Sequence, residues 1–253
     1  MRTGLTQTTH HVMRRFFLPA LVLLLSACAA PSSTRVTADH RQLNPRAAVV
    51  VLQDQAPRLH AISSEPNLST RGIATLADWD ARTVLTAALE KRLAGKGFKL
   101  VSLDYQPADF RAIYDSSAAY PNPAKIRSAL CALASAQQVD LVMLVYRQMV
   151  RDFVGTSNEN LVGYGLVKHR DGQVHAYAAL TVEAVQSRNG TVVGTAPGKA
   201  SLALPAEQWQ AAFSVDHASV ELHGAAATAL EAPLRQVMLE AAVSAAQETG
   251  LSQ

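Results

Sequence analysis

The chain of 253 residues is 49% hydrophobic and 17% charged, with 23 Lys and Arg against 20 Asp and Glu and a formal net charge of +3. Arg2, Arg14 and Arg15 all lie in the first 27 residues, which hold no acid, so the remainder is balanced at 20 basic and 20 acidic side chains. That balance excludes the basic footprint of a nucleic-acid binder, while the apolar share is enough for one sizeable core.

The chain opens with a positive segment ending in Arg14 and Arg15, an apolar run from Phe16 to Leu25, and small residues before Cys28. This is a secretory signal, too short and too interrupted by Pro19 to serve as a permanent membrane span of about 20 apolar residues. Leu25-Ser26-Ala27-Cys28 resembles the lipobox of a bacterial lipoprotein precursor. The resemblance implies a diacylglyceryl group on the Cys28 thiol, cleavage before Cys28 and acylation of its amine, which together give stable anchoring. Ala29 stands where inner-membrane retention signals of such lipoproteins have Asp, so the resemblance implies the outer membrane, facing the periplasm. The alternative is ordinary cleavage at Ala27-Cys28-Ala29, an A-x-A-like site that would release a soluble protein. The start is open between Met1 and Met13, and MRRFFLPALVLLLSAC, by itself a compact signal, is the argument for Met13.

Residues 1–27 are therefore read as signal peptide, 28–45 as acylated terminus and flexible tether, and 46–253 as a single α/β periplasmic domain. Arg46–Gln53 is a continuous apolar run that suits a buried strand. Asp54–Ala77, carrying Pro57, Pro66, Asn67 and Gly72, reads as a long loop. Asp78 stands at the expected N-cap of a helix whose stripe is Val84, Leu85, Ala88, Leu89 and Leu93, closed by Gly95 and Gly97. Phe98–Leu103 reads as the next strand. Asn122-Pro123 opens a second helix, with Ile126, Leu130 and Leu133 at helical spacing and an end near Gln138. Val139–Tyr146 fits the centre of a sheet covered on both faces.

Strand, helix, strand, helix, strand predicts parallel pairing. Asn160–Arg170, Gln173–Arg188 and Thr191–Leu204 then form three long strands joined by Asp171-Gly172 and Asn189-Gly190 as two-residue hairpin turns. Val174, Ala176, Ala178, Leu180, Val182 and Ala184 make one buried face. Counting across the first turn adds Val167, Gly165, Gly163 and Leu161 to it, a low-relief surface for the last helix, Ala225–Gln247. That helix offers Leu230, Leu234, Val237, Met238 and Ala241, and Pro233 should kink it or mark a new start near Glu231. The predicted fold class is α/β: a mixed sheet, parallel βαβαβ followed by antiparallel hairpins, with helices packed on it.

AALEKRLAGKGFKLVS, ASAQQVDLVMLV and TVEAVQSRNGTVVGT resemble the periplasmic α/β domain shared by curli-secretion lipoproteins, lipoprotein activators of penicillin-binding proteins and the amino-terminal domain of TolB. The resemblance implies a non-enzymatic factor that binds another envelope protein or assembles with itself, needing no cofactor and no metal. The competing reading is a small periplasmic hydrolase or ligand-binding protein. No G-x-S-x-G, H-E-x-x-H, C-x-x-C or glycine-rich phosphate loop is present.

His217 and His223 beside Asp216 read as surface residues rather than metal ligands. Asp78 and Asp80 around Trp79 read as helix-capping acids rather than an acid pair. Arg147, Arg151 and Asp152 read as a solvated edge, and Cys131 in SALCALASA as a buried, inert thiol. The expected partner-binding surface is Asp104–Asn122, holding Tyr105, Phe110, Tyr114 and Tyr120, four of 14 aromatic residues, on an unusually long connection. Phe110 and Tyr114 are expected to pack inward, Tyr105 and Tyr120 to stand exposed.

Overall fold

RAAVVVL, the first strand β1 (Arg46–Leu52), is buried at every position after Arg46 because helices cover both of its faces. In the computed structural model the residues described are 33–52, 58–62, 69–76, 80–106, 110, 123–155, 159–207, 219–222 and 224–251. β5 (Leu141–Arg147) runs parallel to β1 from Ala47 opposite Leu141 to Leu52 opposite Tyr146, and β4 (Lys99–Leu100) pairs in parallel on the other side. The parallel βαβαβ layer expected from the sequence is therefore present. Its β4, however, is two residues long rather than the expected six.

α2 (Ala81–Leu93) packs Leu85, Leu89 and Leu93 on one face of this layer, with Ala47, Val49, Met143 and Val145. Its N-cap is Asp80, whose carboxylate accepts from the Arg82 amide at 3.0 Å and the Thr83 hydroxyl at 2.6 Å. The cap thus falls two residues beyond Asp78, which lies outside the described residues together with Trp79. α3 (Pro123–Ala136) covers the opposite face with Ile126, Leu130 and Ala134 against Ala48, Val50, Val142 and Leu144. It opens at the proline, as expected, since a first-turn residue needs no amide hydrogen.

The loop expected over Asp54–Ala77 is corrected. β2 (Arg58–Ile62) and β3 (Ser69–Leu76) form an antiparallel pair, and β2 also runs parallel to β7 (Asn160–Lys168). Pro57 and Pro66 fall just before β2 and between the two strands. They punctuate the strands rather than preclude them.

With β8 spanning Val174–Gln186 and β10 Ser219–Leu222, among the described residues ten strands form one sheet, β10-β3-β2-β7-β8-β5-β1-β4, with β6 (Met149–Arg151) on β7 and β9 (Val192–Leu204) on β8. β10 runs parallel to β3. β8 organises the rest: one edge pairs with β9, and the other is divided between β7 and β5. Ala176 to Ala184 on alternate positions face α4 (Gly224–Glu248), as expected. α4 continues through Pro233 without a new start, held by the buried Leu230 and Leu234 on either side.

The low-relief surface has a different source from the one expected. Leu166 lies opposite Ala176 and Tyr164 opposite Ala178, so Leu161, Val167, Tyr177 and Ala179 share the other face. The β7–β8 turn has one residue more than a two-residue hairpin: His169 N–H donates to Gln173 C=O at 2.8 Å, and Gly172 adopts a left-handed φ of +86°. One added residue exchanges the two faces. Close approach of α4 instead comes from Gly198 on β9, where a β-carbon would overlap the Ala241 carbonyl.

A second correction concerns the tether. Thr34 exchanges backbone hydrogen bonds with Thr195 on β9, at 3.0 and 2.9 Å, and Val36 N–H donates to Thr249 C=O at 2.8 Å. The Val36 side chain, 3% exposed, belongs to the α2/α4 core. α1 (Ala38–Gln42) follows, with His40 Nε2 3.0 Å from Gln186 Nε2. From Thr34 onward the chain is a clip built into the fold.

Candidate functional site

The aromatic segment after β4 begins with a reciprocal clamp: Asp104 N–H donates to Gln137 Oε1 at 2.9 Å, and Gln137 Nε2 donates to Asp104 C=O at 2.8 Å. This ties the chain to the end of α3 and aims Tyr105 back at β1. Alternate β1 residues point their backbone groups outward, and Ala47 C=O accepts there from Val101 N–H at 2.9 Å. Past that point β4 has ended. The Tyr105 hydroxyl takes its place, accepting from Val51 N–H at 3.1 Å and donating to Val51 C=O at 3.3 Å.

A buried strand edge must satisfy these groups somewhere, and here one phenol does so. Burial raises the Tyr105 pKa above its ordinary value. Its ring lies 6.3 Å from that of Phe110, and the Arg82 guanidinium carbon is 6.0 Å from its centroid. The expectation that Tyr105 stands exposed is corrected: it is half-buried, while Phe110, 2% exposed, packs inward as expected with Ile126 and Leu130. Tyr114 and Tyr120 lie outside the described residues. Beside Tyr105, an open groove of ≈ 610 Å³ is lined by Val49, Arg82, Thr86, Glu90 and Val101.

On the opposite face Glu183 of β8 is 6% exposed. Arg127 on α3 reaches its two oxygens at 3.1 and 2.9 Å, and the Tyr146 hydroxyl donates to Oε1 at 2.8 Å. Burial, followed by the Glu183 charge, pushes the Tyr146 pKa far above its usual value. One guanidinium nitrogen bridging both oxygens, plus a neutral phenol, satisfies the carboxylate with charge-assisted hydrogen bonds, so the cluster pins α3 to the sheet. Sequence reading missed it. The available signal was one acid inside the buried run TVEAV.

A neighbouring groove of ≈ 520 Å³ runs between α3 and the β8–β9 turn past Ser128, Cys131, Ser135 and Asn189. Cys131 is half-buried, burial raises its pKa, and its Sγ lies 3.7 Å from Gln186 C=O. A thiol held protonated is a poor nucleophile, in keeping with an inert role.

The solvated edge expected of Arg147 and Asp152 is also corrected. Arg147 is 6% and Asp152 9% exposed, and only Arg151 is open to solvent. Asp152 Oδ1 accepts from the amides of Val154 at 2.8 Å and Gly155 at 3.1 Å, capping the turn after β6. Its Oδ2 lies 3.8 Å from His169 Nδ1, and the His169 ring meets His175 edge-on at 5.7 Å. Gly155 leaves room for the His169 imidazole, which a β-carbon there would displace. Among the described residues no three His, Cys, Asp or Glu side chains converge as a metal site. Asp216, His217 and His223 lie outside the described residues.

No protein-family model and no curated protein matches the chain. Solved structures similar to it include the PelC dodecamer from Paraburkholderia phytofirmans, at 14% identity and a TM-score of 0.33 over 83% of this chain and 94% of that one. Lipoprotein GNA1162 from Neisseria meningitidis is similar at 14% identity and 0.31, over 63% of this chain and 84% of that one. The LpoB C-terminal domain from Salmonella enterica is similar at 12% identity and 0.27, over 72% and 93%. Likenesses this distant carry no argument about family, ligand or partner.

Proposed function

We propose that this chain is a lipid-anchored envelope protein, acylated at Cys28 in the outer membrane and facing the periplasm, that binds another envelope protein or assembles with itself rather than catalysing a reaction. The observation that carries the reading is Leu25-Ser26-Ala27-Cys28 closing an apolar leader, six positions before the fold begins at Thr34. The buried polar clusters support binding over catalysis, because their charged groups are engaged in holding the fold: Glu183 by Arg127 and Tyr146, Asp152 by two backbone amides. With Tyr105 and Phe110 committed to the sheet, Tyr120, the other tyrosine expected to stand exposed, is the proposed partner contact on the Asp104–Asn122 connection.

The test is Cys28→Ser in intact cells, followed by carbonate washing of the membranes. Loss of membrane retention and stalled leader processing are expected. A variant that still fractionates with membranes would refute the anchor.

A further inference from the structure

The end of the sheet at which β1, β4 and β5 begin carries a large apolar side chain in the open: Leu43, directly after α1, is 78% exposed. Segments distant in sequence converge around it. Arg41 packs where Gly97, at φ +83°, leaves room for its backbone and β-carbon, so α1 abuts the turn that closes α2. Asn44 N–H donates to Arg41 C=O and Lys99 N–H to Pro45 C=O, each at 3.0 Å, which places Leu43 between Arg41 and Lys99. Lys96 lies in the same turn, Lys91 and Arg92 in the last turn of α2, and Arg35 beside Gly250.

Of these basic residues all but the half-buried Arg41 are exposed. Among the described residues the acids at this end are Asp39, Glu90, Asp140 and Glu248, and Asp140 accepts from the Arg46 amide at 2.9 Å. An exposed leucine ringed by a surplus of positive charge matches an anionic bilayer surface, which attracts basic side chains and admits an apolar one among its headgroups.

We infer that this end of the domain docks on the membrane, with Leu43 entering the headgroup layer and the Arg41–Lys96–Lys99 cluster facing anionic lipid. The inference rests on the lipoprotein reading and adds an orientation to it. Six residue steps separate Cys28 from Thr34, a span of at most about 20 Å. An acylated Cys28 therefore keeps the clip, and the end of the sheet it wraps, close to lipid.

The test uses the acylated full chain, purified from membranes and reconstituted into vesicles of phosphatidylethanolamine with phosphatidylglycerol, or of phosphatidylcholine alone. In a Cys131→Ser background an environment-sensitive fluorophore is attached through Leu43→Cys or, as a control, through Met149→Cys at the other large apolar side chain exposed among the described residues. On the anionic vesicles the label at 43 should shift to the blue and be quenched by nitroxide lipids, while that at 149 stays aqueous. Lys96→Glu with Lys99→Glu should weaken the shift by roughly fivefold or more per residue, and 1 M NaCl, where the Debye length is about 3 Å, should abolish it. A label at 43 that stays aqueous on a chain that floats with the vesicles overturns docking and leaves the anchor standing. An equal shift on phosphatidylcholine overturns the role of the basic cluster. A chain that fails to float overturns the lipoprotein reading, and this inference with it.

Discussion

The two long flanks of the central strands, β1 on one side and β9 on the other, are closed by different means. At β9 the closure is backbone: Thr34 pairs with Thr195, and Val36 drives a side chain into the core directly behind it. At β1 it is one side chain, the Tyr105 hydroxyl serving both backbone groups of Val51. Backbone closure brings apolar burial with it, whereas hydroxyl closure contributes hydrogen bonds alone. The two edges should therefore differ in how much a single substitution costs.

The largest effect is expected at the clip. Val36→Asp puts a carboxylate into the α2/α4 core, and expelling the segment from Thr34 to α1 is the only relief. The predicted loss is about 3 kcal/mol, seen as a lower urea midpoint with new tryptic cleavage at Arg35. An unchanged midpoint would show that the clip contributes little and that the edges are alike.

Tyr105→Phe keeps the ring against Phe110 and removes only the hydroxyl. A loss of about 1 to 2 kcal/mol is expected, the usual cost of leaving partly buried backbone groups unpaired, with faster hydrogen exchange at the Val51 amide and unchanged exchange at Thr195. A loss as large as that of Val36→Asp would erase the distinction.

The smallest effect belongs to neither edge and provides a control. Burial, then the neighbouring His169, lowers the His175 pKa from its ordinary 6.5. The unfolded chain then binds the proton more readily than the folded one. Stability is complete above pH 6.5 and declines as pH falls through the window below it, and His175→Gln should flatten that decline. If acid loosened the Val51 or Thr195 amides before those of the β7–β8 turn, the assignment to His175 would be wrong.

The apolar runs of β1 and β5, the helical stripes of α2 and α3, and the alternation along β8 were legible because burial on one or two faces writes a period into the sequence. The β7–β8 register was not: a turn longer by one residue leaves the same Asp171-Gly172 signal and exchanges every facing side chain. The clip was missed for another reason. VTADHRQLNP has a linker's composition, and its one core residue, Val36, has no periodic companions. Tyr105 and Glu183 show the limit for sites, since each is defined by a partner far along the chain, Val51 for the tyrosine and Arg127 for the glutamate, which no local pattern names.

The divided edge of β8 bears on how the molecule carries force. β7 and β5 meet it end to end, and Gln148 bridges the junction by donating to Ala179 C=O at 2.9 Å and accepting from Gly163 N–H at 3.0 Å. A protein held by its amino terminus is loaded through that terminus. The clip meets β9 at Thr195 by an isolated bridge, and β9 is bonded to β8 from Val174 to Val185. Were the chain anchored at Cys28 as proposed, a pull would load the single Thr34–Thr195 bridge and the buried Val36 before it reached β8 and, across the Gln148 junction, both half-sheets.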